Sequence, residues 1–332
     1  MALTSCSQQQ KTEYAVQINQ NWQFSQAGKN EWLPATVPGS VHTDLLQNKK
    51  IEDPYYRLNE HSQQWIDKVD WEYKTTINIP AEVLKRDRIV LDFKGLDTYA
   101  DVYVNEQLAL SADNMFREWS ADIKAVAKEG NNDIRILFRS PIVEGLKKYD
   151  ANGYVIPVSD NDQAVNGEVE GGKMVSVYTR KAGYHFGWDW GPRLVTSGIW
   201  RPVYLRAWDI TQINNLQIVQ NSLTKESAEL TANFEIESEQ EITADLSVEN
   251  DGTILATQTV KLEKGIKNYT VNFSIANPKL WWTNGLGEQP LYNITGKVNA
   301  NNNLSTKTDR IGLRTLKLVR NNDEHGTTFY FE

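Results

Sequence analysis

Residues 71–79 read Trp-Glu-Tyr-Lys-Thr-Thr-Ile-Asn-Ile, and this stretch decides the class of fold. Its apolar and β-branched side chains alternate with polar ones, and a period of two indicates a strand with one buried face. Further short apolar or alternating runs occupy residues 89–93, 100–104, 134–138 and 199–205. Clusters of Gly, Asn and Pro separate these runs, so the sequence predicts an all-β domain. Over residues 14–208 the length favours a jelly-roll β-sandwich.

The part of the chain from residue 209 to 317 has a different strand spacing. Seven short strands in this part, separated by turns such as Asp251-Gly252, are typical of an immunoglobulin-like β-sandwich. The cysteine pair of antibody domains is absent, so this likeness is architectural. Helix signals are weak, and only residues 41–49 and 142–148 are predicted to form short helices. The predicted strands cover residues 216–219, 229–237, 242–248, 254–260, 269–273, 291–298 and 305–311.

Composition limits the classes of partner. The 332-residue chain has a net charge of −8, and it lacks the basic patch that nucleic-acid binding requires. No run approaches the roughly 18 apolar residues of a membrane-spanning helix. The four His residues show no metal-ligand spacing, so neither a metal nor another cofactor is predicted. The 11 Trp and 14 Tyr residues either fill large β cores or bind neutral sugars, whose C–H faces stack on flat rings.

The first residues of the chain are polar. Residues 1–13 are predicted to be a disordered tail. Leu3-Thr4-Ser5-Cys6 resembles the end of a bacterial lipoprotein signal, in which the cysteine becomes the lipidated residue. Cys6 is therefore a candidate for lipidation, and the expected location is the bacterial periplasm or cell envelope. The alternative is a chance cysteine in a tail, and with one cysteine no intrachain disulfide can form.

Four groups of motifs are recognisable along the chain. They are Gly-Leu-Asp-Thr-Tyr-Ala-Asp-Val-Tyr-Val-Asn at 95–105 with Asn-Met-Phe-Arg-Glu-Trp at 114–119, Tyr-His-Phe-Gly-Trp-Asp-Trp-Gly-Pro-Arg at 184–193 with the segment at 197–203, Pro-Lys-Leu-Trp-Trp-Thr-Asn-Gly-Leu-Gly-Glu-Gln-Pro-Leu-Tyr at 278–292, and Ile-Gly-Leu-Arg-Thr at 311–315. Together they resemble glycoside hydrolases of family 2. The Ser-Gly-Ile-Trp-Arg segment at 197–201 is shared with β-galactosidases and β-glucuronidases, whereas Trp188-Asp189-Trp190 points to the β-mannosidases of that family. One departure is Glu106, where the hairpin turn of the family usually carries Gly.

This resemblance implies a retaining exo-β-mannosidase that removes terminal non-reducing β-D-mannose from oligosaccharides or glycans. It makes residues 14–208 a galactose-binding-domain-like jelly roll, and residues 318–332 a linker and the start of a missing (β/α)₈ barrel. Retaining hydrolysis needs two carboxylic residues about 5–5.5 Å apart, and in this family both are Glu residues of the barrel. Neither Glu motif is present, so we expect no catalytic residue in this chain, no activity of the chain alone, and its own C-terminal barrel as a partner.

The resemblance also assigns substrate-binding residues. Asp189 is expected to bind the hydroxyls of the cleaved sugar, because an ionised carboxylate accepts hydrogen bonds. Trp188 and Trp190 are expected to shape the pocket, although Trp190 could equally be core or interface packing. His185 and Arg193 are weaker candidates. His185 is interpreted as a structural hydrogen-bonding residue, and Arg193 either pairs with Asp189 or faces solvent. Asp97 is interpreted as a residue that stabilises a turn.

Other functions stay open at this stage. The chain could be a stand-alone carbohydrate-binding protein built from the two β domains. It could also belong to a β-galactosidase or a β-glucuronidase of the same family. The expected ligand is in each case a sugar, with a β-mannoside oligosaccharide preferred. The sequence does not decide between a monomer and a homodimer.

Overall fold

The computed structural model describes residues 10–158, 172–188 and 191–332. The chain forms two compact units. The first sandwich consists of Tyr14–Ala207, and the second sandwich consists of Trp208–Glu332 together with the N-terminal residues up to Glu13. This division lies one residue before the predicted boundary between residues 208 and 209.

The first sandwich contains a six-stranded sheet with the strand order β4-β3-β5-β10-β7-β8. At its centre β5 alternates buried and more exposed residues, as its sequence predicts, and pairs antiparallel with β10 from Ile79–Gly130 to Trp71–Phe138. The side chains of Trp71, Tyr73 and Ile79 are buried in the core. The strands are β3 (Gln23–Gln26), β4 (Leu33–Pro34), β5 (Trp71–Ile79), β7 (Tyr99–Val104), β8 (Gln107–Ala112) and β10 (Gly130–Arg139).

A four-stranded sheet with the order β2-β11-β6-β9 contributes to the same core. The predicted strand at 199–205 is partly wrong, because β11 begins only at Val203. Gly198 forms an isolated bridge with Asp97 instead, and Pro202 has no N–H group to donate to a ladder. The strands are β2 (Tyr14–Gln17), β6 (Arg88–Phe93), β9 (Trp119–Asp122) and β11 (Val203–Trp208).

The helices of the first sandwich are short. Both predicted helices are confirmed, as α1 (Val41–Gln47) and α3 (Pro141–Asn152), and a further single turn forms α2 (Ala81–Leu84). A capping box between Ser40 and Thr43 begins α1. The Ser140 hydroxyl caps α3, which ends at a left-handed Gly153. One-turn 3₁₀ helices lie at Asn59–Gln63, Ile66–Lys68, Ser176–Tyr178 and Gly183–Phe186.

All seven strands predicted between residues 209 and 317 are present in the second sandwich. They form a three-stranded sheet, β12-β13-β16, and, together with the short strand β1 (Lys11–Thr12), a five-stranded sheet with the order β1-β18-β17-β14-β15. Phe234, Leu246 and Val298 are buried in the core of this unit. The two-sandwich, all-β fold class is thereby confirmed. The strands are β12 (Thr211–Leu223), β13 (Ser227–Ser238), β14 (Ile242–Asn250), β15 (Thr253–Leu262), β16 (Gly265–Ala276), β17 (Tyr292–Ala300) and β18 (Asn303–Ile311).

The prediction of a disordered tail through residue 13 is wrong for its last residues. Lys11 and Thr12 form strand β1 (Lys11–Thr12), which pairs parallel with Asn303 and Leu304 of β18. The Lys11 ammonium lies 3.2 Å from Asp209 Oδ2. Backbone pairing with a formed sheet thus orders residues whose composition is that of a tail. Cys6 lies outside the described residues.

The last described residues form a hairpin. Strands β19 (Leu318–Asp323) and β20 (Gly326–Phe331) pair antiparallel with each other and with no other strand in the described part of the chain. Of the side chains here, Phe329 and Phe331 are among the most exposed large apolar groups of the second sandwich. Within the described residues, no helix has the length and hydropathy needed to cross a membrane.

Candidate functional site

An open pocket of about 630 Å³ lies on the first sandwich, where the segment around residues 184–196 meets Tyr55. Two of the residues predicted from sequence, His185 and Trp188, line this pocket. Asp189 and Trp190 lie outside the described residues. No carboxylate contributes to the described part of the wall. The described residues that line it are Tyr55, Tyr184, His185, Trp188, Gly191, Pro192, Leu194 and Thr196.

The 3₁₀ turn Gly183–Phe186 presents the pocket side chains. Phe186 is fully buried in a small cluster with Ile142 and Val175, so it anchors the turn to helix α3. Gly187 follows with φ of 116°, a backbone conformation that favours glycine. The chain therefore turns sharply between a buried Phe186 and Trp188, which is 44% exposed.

Trp188 and Gly191 form an isolated antiparallel bridge. The Gly191 N–H donates to the Trp188 carbonyl over 3.3 Å, so the flanks of positions 189–190 are joined. An exposed indole beside Tyr184 and Tyr55 provides flat apolar faces with polar groups at their edges. This chemistry suits a pyranose ring, which has an apolar C–H face and hydroxyls around its rim.

A buried ion pair lies behind the pocket wall. The Lys181 ammonium donates to both Asp97 oxygens, at 2.6 and 2.5 Å, and the two side chains are 0% and 3% exposed. Burial lowers the pKa of Lys181, and the Asp97 carboxylate opposes this shift. The expectation that Asp97 stabilises a turn is therefore wrong. Asp97 compensates a buried cation, whose removal from water would otherwise be very costly.

Thr196 connects this ion pair to the pocket. Its hydroxyl donates to Asp97 Oδ2 over 2.7 Å and accepts from Lys181 Nζ over 3.1 Å. The same oxygen lies 3.1 Å from His185 Nδ1. Burial, followed by the Lys181 ammonium, lowers the pKa of His185 to about 4. His185 is therefore neutral near pH 7, and it lines the pocket in that form.

Arg193 is buried and does not face solvent. Its Nη1 atom donates to Asp67 Oδ2 and to Gln64 Oε1, each over 2.6 Å, and its side chain is 0% exposed. The backbone of Arg193 is also held, because its N–H donates to Glu60 Oε1 over 2.7 Å. Arg193 thus fixes the rim segment 191–196 to the two 3₁₀ turns that contain Glu60 and Asp67. The alternative prediction that it faces solvent is wrong.

Lys181 and Thr196 were not identified from the sequence, and Asp97 was identified with a different role. Asp97 and Lys181 are separated by 84 positions, and no periodicity links them. The only local signal is the position of Lys181 four residues before His185 in the motif region. No group of three or more His, Cys, Asp or Glu residues suited to a metal occurs in the ranges that the structure describes.

The chain is similar to known protein families and solved structures. Residues 22–201 match the family "Glycosyl hydrolase 2 galactose-binding domain-like", and residues 211–314 match "Glycosyl hydrolases family 2". Beta-mannosidase B of Thermothelomyces thermophilus is 34% identical over 327 residues, and that of Aspergillus niger is 31% identical over 325 residues. These alignments cover 96% and 95% of this chain but 36% and 37% of the relatives.

Solved structures of two glycoside hydrolases are also similar to this chain. The beta-D-mannosidase of Dictyoglomus thermophilum superposes with a TM-score of 0.86 at 31% identity, over 96% of this chain and 38% of that one. The exo-chitosanase CsxA of Amycolatopsis orientalis shares the fold, with a TM-score of 0.71 at 20% identity over 96% of this chain and 36% of that one. The chain thus spans little more than a third of the length of its relatives. Since a family match covers more than half of it, the chain belongs to glycoside hydrolase family 2.

Proposed function

We propose that this chain is the N-terminal, sugar-recognising part of a retaining exo-β-mannosidase. The observation that carries the proposal is the pocket formed by Trp188, His185 and Thr196, in a chain whose relatives at 31–34% identity are named β-mannosidases. The substrate class is a terminal β-D-mannoside of an oligosaccharide or glycan. The pocket supplies binding, because no carboxylate lines its described wall and retaining hydrolysis requires two.

In this proposal the catalytic carboxylates belong to the enzyme's own barrel domain. The first sandwich holds the non-reducing sugar and thereby positions the bond to be cleaved, which lowers the barrier when the reacting atoms are aligned. Asp189, proposed from the sequence, accepts hydrogen bonds from sugar hydroxyls. Trp188 packs against the sugar ring. The isolated chain is then expected to hydrolyse no glycoside.

A substrate panel tests the activity. The full-length protein is assayed on 4-nitrophenyl β-D-mannoside, β-D-galactoside and β-D-glucuronide, and the mannoside is expected to have the highest kcat/KM. A preference for either of the other two sugars would instead assign the chain to a β-galactosidase or a β-glucuronidase. Binding of mannose by this chain at micromolar Kd, with no hydrolysis by the full-length protein, would favour a stand-alone carbohydrate-binding protein.

Two substitutions test the pocket. Trp188→Ala and Asp189→Ala in the full-length protein are each expected to lower kcat/KM on the mannoside at least tenfold, which corresponds to about 1.4 kcal/mol of transition-state binding. Trp65→Ala is the matched control, because Trp65 has a similar exposed fraction, 42% against 44% for Trp188, and lines a separate hollow. An unchanged kcat/KM in Trp188→Ala would remove this pocket from the substrate site.

Location and assembly are separate proposals. The Leu3-Thr4-Ser5-Cys6 pattern supports a lipid anchor at Cys6 and a place in the bacterial periplasm or cell envelope. Mass spectrometry of the N-terminal peptide from the native host would detect the lipid, and Cys6→Ser would abolish it. Light scattering of the full-length protein would measure its mass and distinguish a monomer from a homodimer.

A further inference from the structure

The hydroxyl of Thr196 has one proton and three hydrogen-bonding neighbours. Its Oγ1 atom lies 2.7 Å from Asp97 Oδ2, 3.1 Å from Lys181 Nζ and 3.1 Å from His185 Nδ1. A carboxylate can only accept a hydrogen bond, and an ammonium can only donate one. The hydroxyl must therefore donate its single proton to Asp97, and toward Lys181 and His185 it can only accept.

This arrangement fixes the tautomer of His185. Because Thr196 can only accept, Nδ1 of His185 must carry the proton and donate. A neutral imidazole has a single ring proton, so Nε2 is left as a hydrogen-bond acceptor. Among the described residues no group hydrogen-bonds to Nε2, and the His185 side chain lines the pocket. Lys181 and burial both disfavour the doubly protonated ring.

We propose that Nε2 of His185 accepts a hydrogen bond from a hydroxyl of the bound sugar, and that Asp97, Lys181 and Thr196 are positioning residues that hold this tautomer. The inference rests on the proposed function of the pocket. It makes His185 a specificity-determining residue, because the site then distinguishes a hydroxyl from any substituent that cannot donate. The sequence interpretation gave His185 only a structural role. In this proposal Nδ1 keeps that role by donating to Thr196, and Nε2 binds the sugar.

Fluorinated substrates test the acceptor. The full-length protein is assayed on 4-nitrophenyl β-mannosides in which the 3-, 4- or 6-hydroxyl is replaced by fluorine, which cannot donate a hydrogen bond. At one of these positions, fluorine should lower the kcat/KM of the wild-type protein roughly tenfold more than it lowers the kcat/KM of His185→Ala. This is the loss expected for one hydrogen bond, which only the wild type can make. Electronic effects of fluorine cancel in this comparison, because they act equally in both proteins.

Failure of the proposed role of His185 can be distinguished from failure of the proposed function. Equal losses in wild type and His185→Ala at all three positions, with the parent mannoside still preferred, would overturn the role of His185 and leave the proposed function intact. A protein with no activity on the parent mannoside would contradict the proposed function.

Nitrogen-15 NMR measures the tautomer directly, because protonated and unprotonated ring nitrogens have well-separated chemical shifts. The chain has four histidines, and His185→Gln assigns the signal. We expect a protonated Nδ1 and an unprotonated Nε2 near pH 7, retained in Thr196→Ser and lost or mixed in Thr196→Val. A protonated Nε2 in the wild-type chain would overturn the inference, whatever the behaviour of the variants.

Discussion

Asp44 is a carboxyl group held in the interior of the first sandwich. It is 0% exposed, and it accepts from the Thr36 N–H over 2.8 Å and from the Tyr73 hydroxyl over 2.7 Å. Burial outweighs these two hydrogen bonds and raises the pKa of Asp44 from 3.8 to about 6. The folded chain therefore holds the Asp44 proton more tightly than the unfolded chain does. The resulting stabilisation is complete below about pH 3.8 and is lost as the pH rises through about 6.

Asp44→Asn tests this titration, since asparagine keeps the shape and an acceptor for the Thr36 N–H but cannot ionise. The free energy of unfolding of the wild type, relative to Asp44→Asn, is expected to fall by about 2 kcal/mol between pH 4.5 and pH 7.5. Urea denaturation of both proteins across this range measures the difference, and titrations common to both proteins cancel. A difference that is constant with pH would contradict the raised pKa.

The burial of Lys181 and Arg193 could not be predicted from the sequence. A lysine or an arginine is ordinarily a surface residue, and both are buried here because each has a carboxylate partner far along the chain. The pairs join residues 97 with 181 and 67 with 193. Trp188 and His185 could be predicted because the motif that contains them is local, whereas the partners of His185 could not.

The β7–β8 hairpin carries backbone strain in its two-residue turn. Val104 pairs with Gln107, and the residues between them, Asn105 and Glu106, have φ of 47° and 65°. A turn with two left-handed residues matches the twist of the strands, and its second position favours glycine. The Asn105 side chain is anchored, because its amide donates to the Val126 carbonyl over 2.9 Å. Glu106 has no such role, since its carboxylate lies 3.7 Å from Arg135 and is 80% exposed.

Glu106→Gly is therefore expected to stabilise the first sandwich by about 1 kcal/mol, because glycine adopts the left-handed conformation without steric cost. Thermal or urea unfolding of the chain measures the change. Glu106→Ala is the control, because it removes the contact with Arg135 and keeps the strain, and it should leave stability within about 0.5 kcal/mol of wild type. A Glu106→Gly chain that is less stable than Glu106→Ala would show that the turn carries no strain.

Strands with one buried face were predicted well from the sequence. Strands whose ends or existence depend on long-range pairing were predicted badly. The alternation in β5 is local, and the structure reproduces its limits at residues 71 and 79. Strand β11 begins four residues later than predicted, because the segment before it is held by the bridge between Asp97 and Gly198. Strand β1 has no sequence signal of its own and exists through its pairing with β18.

At the scale of the whole molecule, each sandwich has its own hydrophobic core. The cluster that contains Tyr73 and Phe138 lies within Tyr14–Ala207, and the cluster that contains Phe234 and Val298 lies within the second unit. Phe234 is fully buried, and its ring fills the space that a side chain at Gly296 would occupy. The second core therefore depends on a close fit between an aromatic ring and a glycine on the facing strand.

Phe234→Ala is expected to destabilise the second sandwich by about 3–5 kcal/mol, because it removes a buried ring and leaves a cavity. Hydrogen exchange followed by mass spectrometry measures this as faster exchange in peptides from β12, β13 and β16. Phe329→Ala is the matched control, since Phe329 is 69% exposed, and its effect should stay within about 0.5 kcal/mol. Unchanged protection in β13 of Phe234→Ala would refute this packing.

The parallel pairing of β1 with β18 has a consequence for how the chain is made. Roughly 290 residues separate Thr12 from Asn303, so a ribosome adding about 5–20 residues per second makes the second partner roughly 15–60 s after the first. The whole first sandwich is synthesised during that interval. Residues 11 and 12 therefore have no strand to pair with until β18 is made, and the first sandwich has time to fold before this edge of the second sandwich can form.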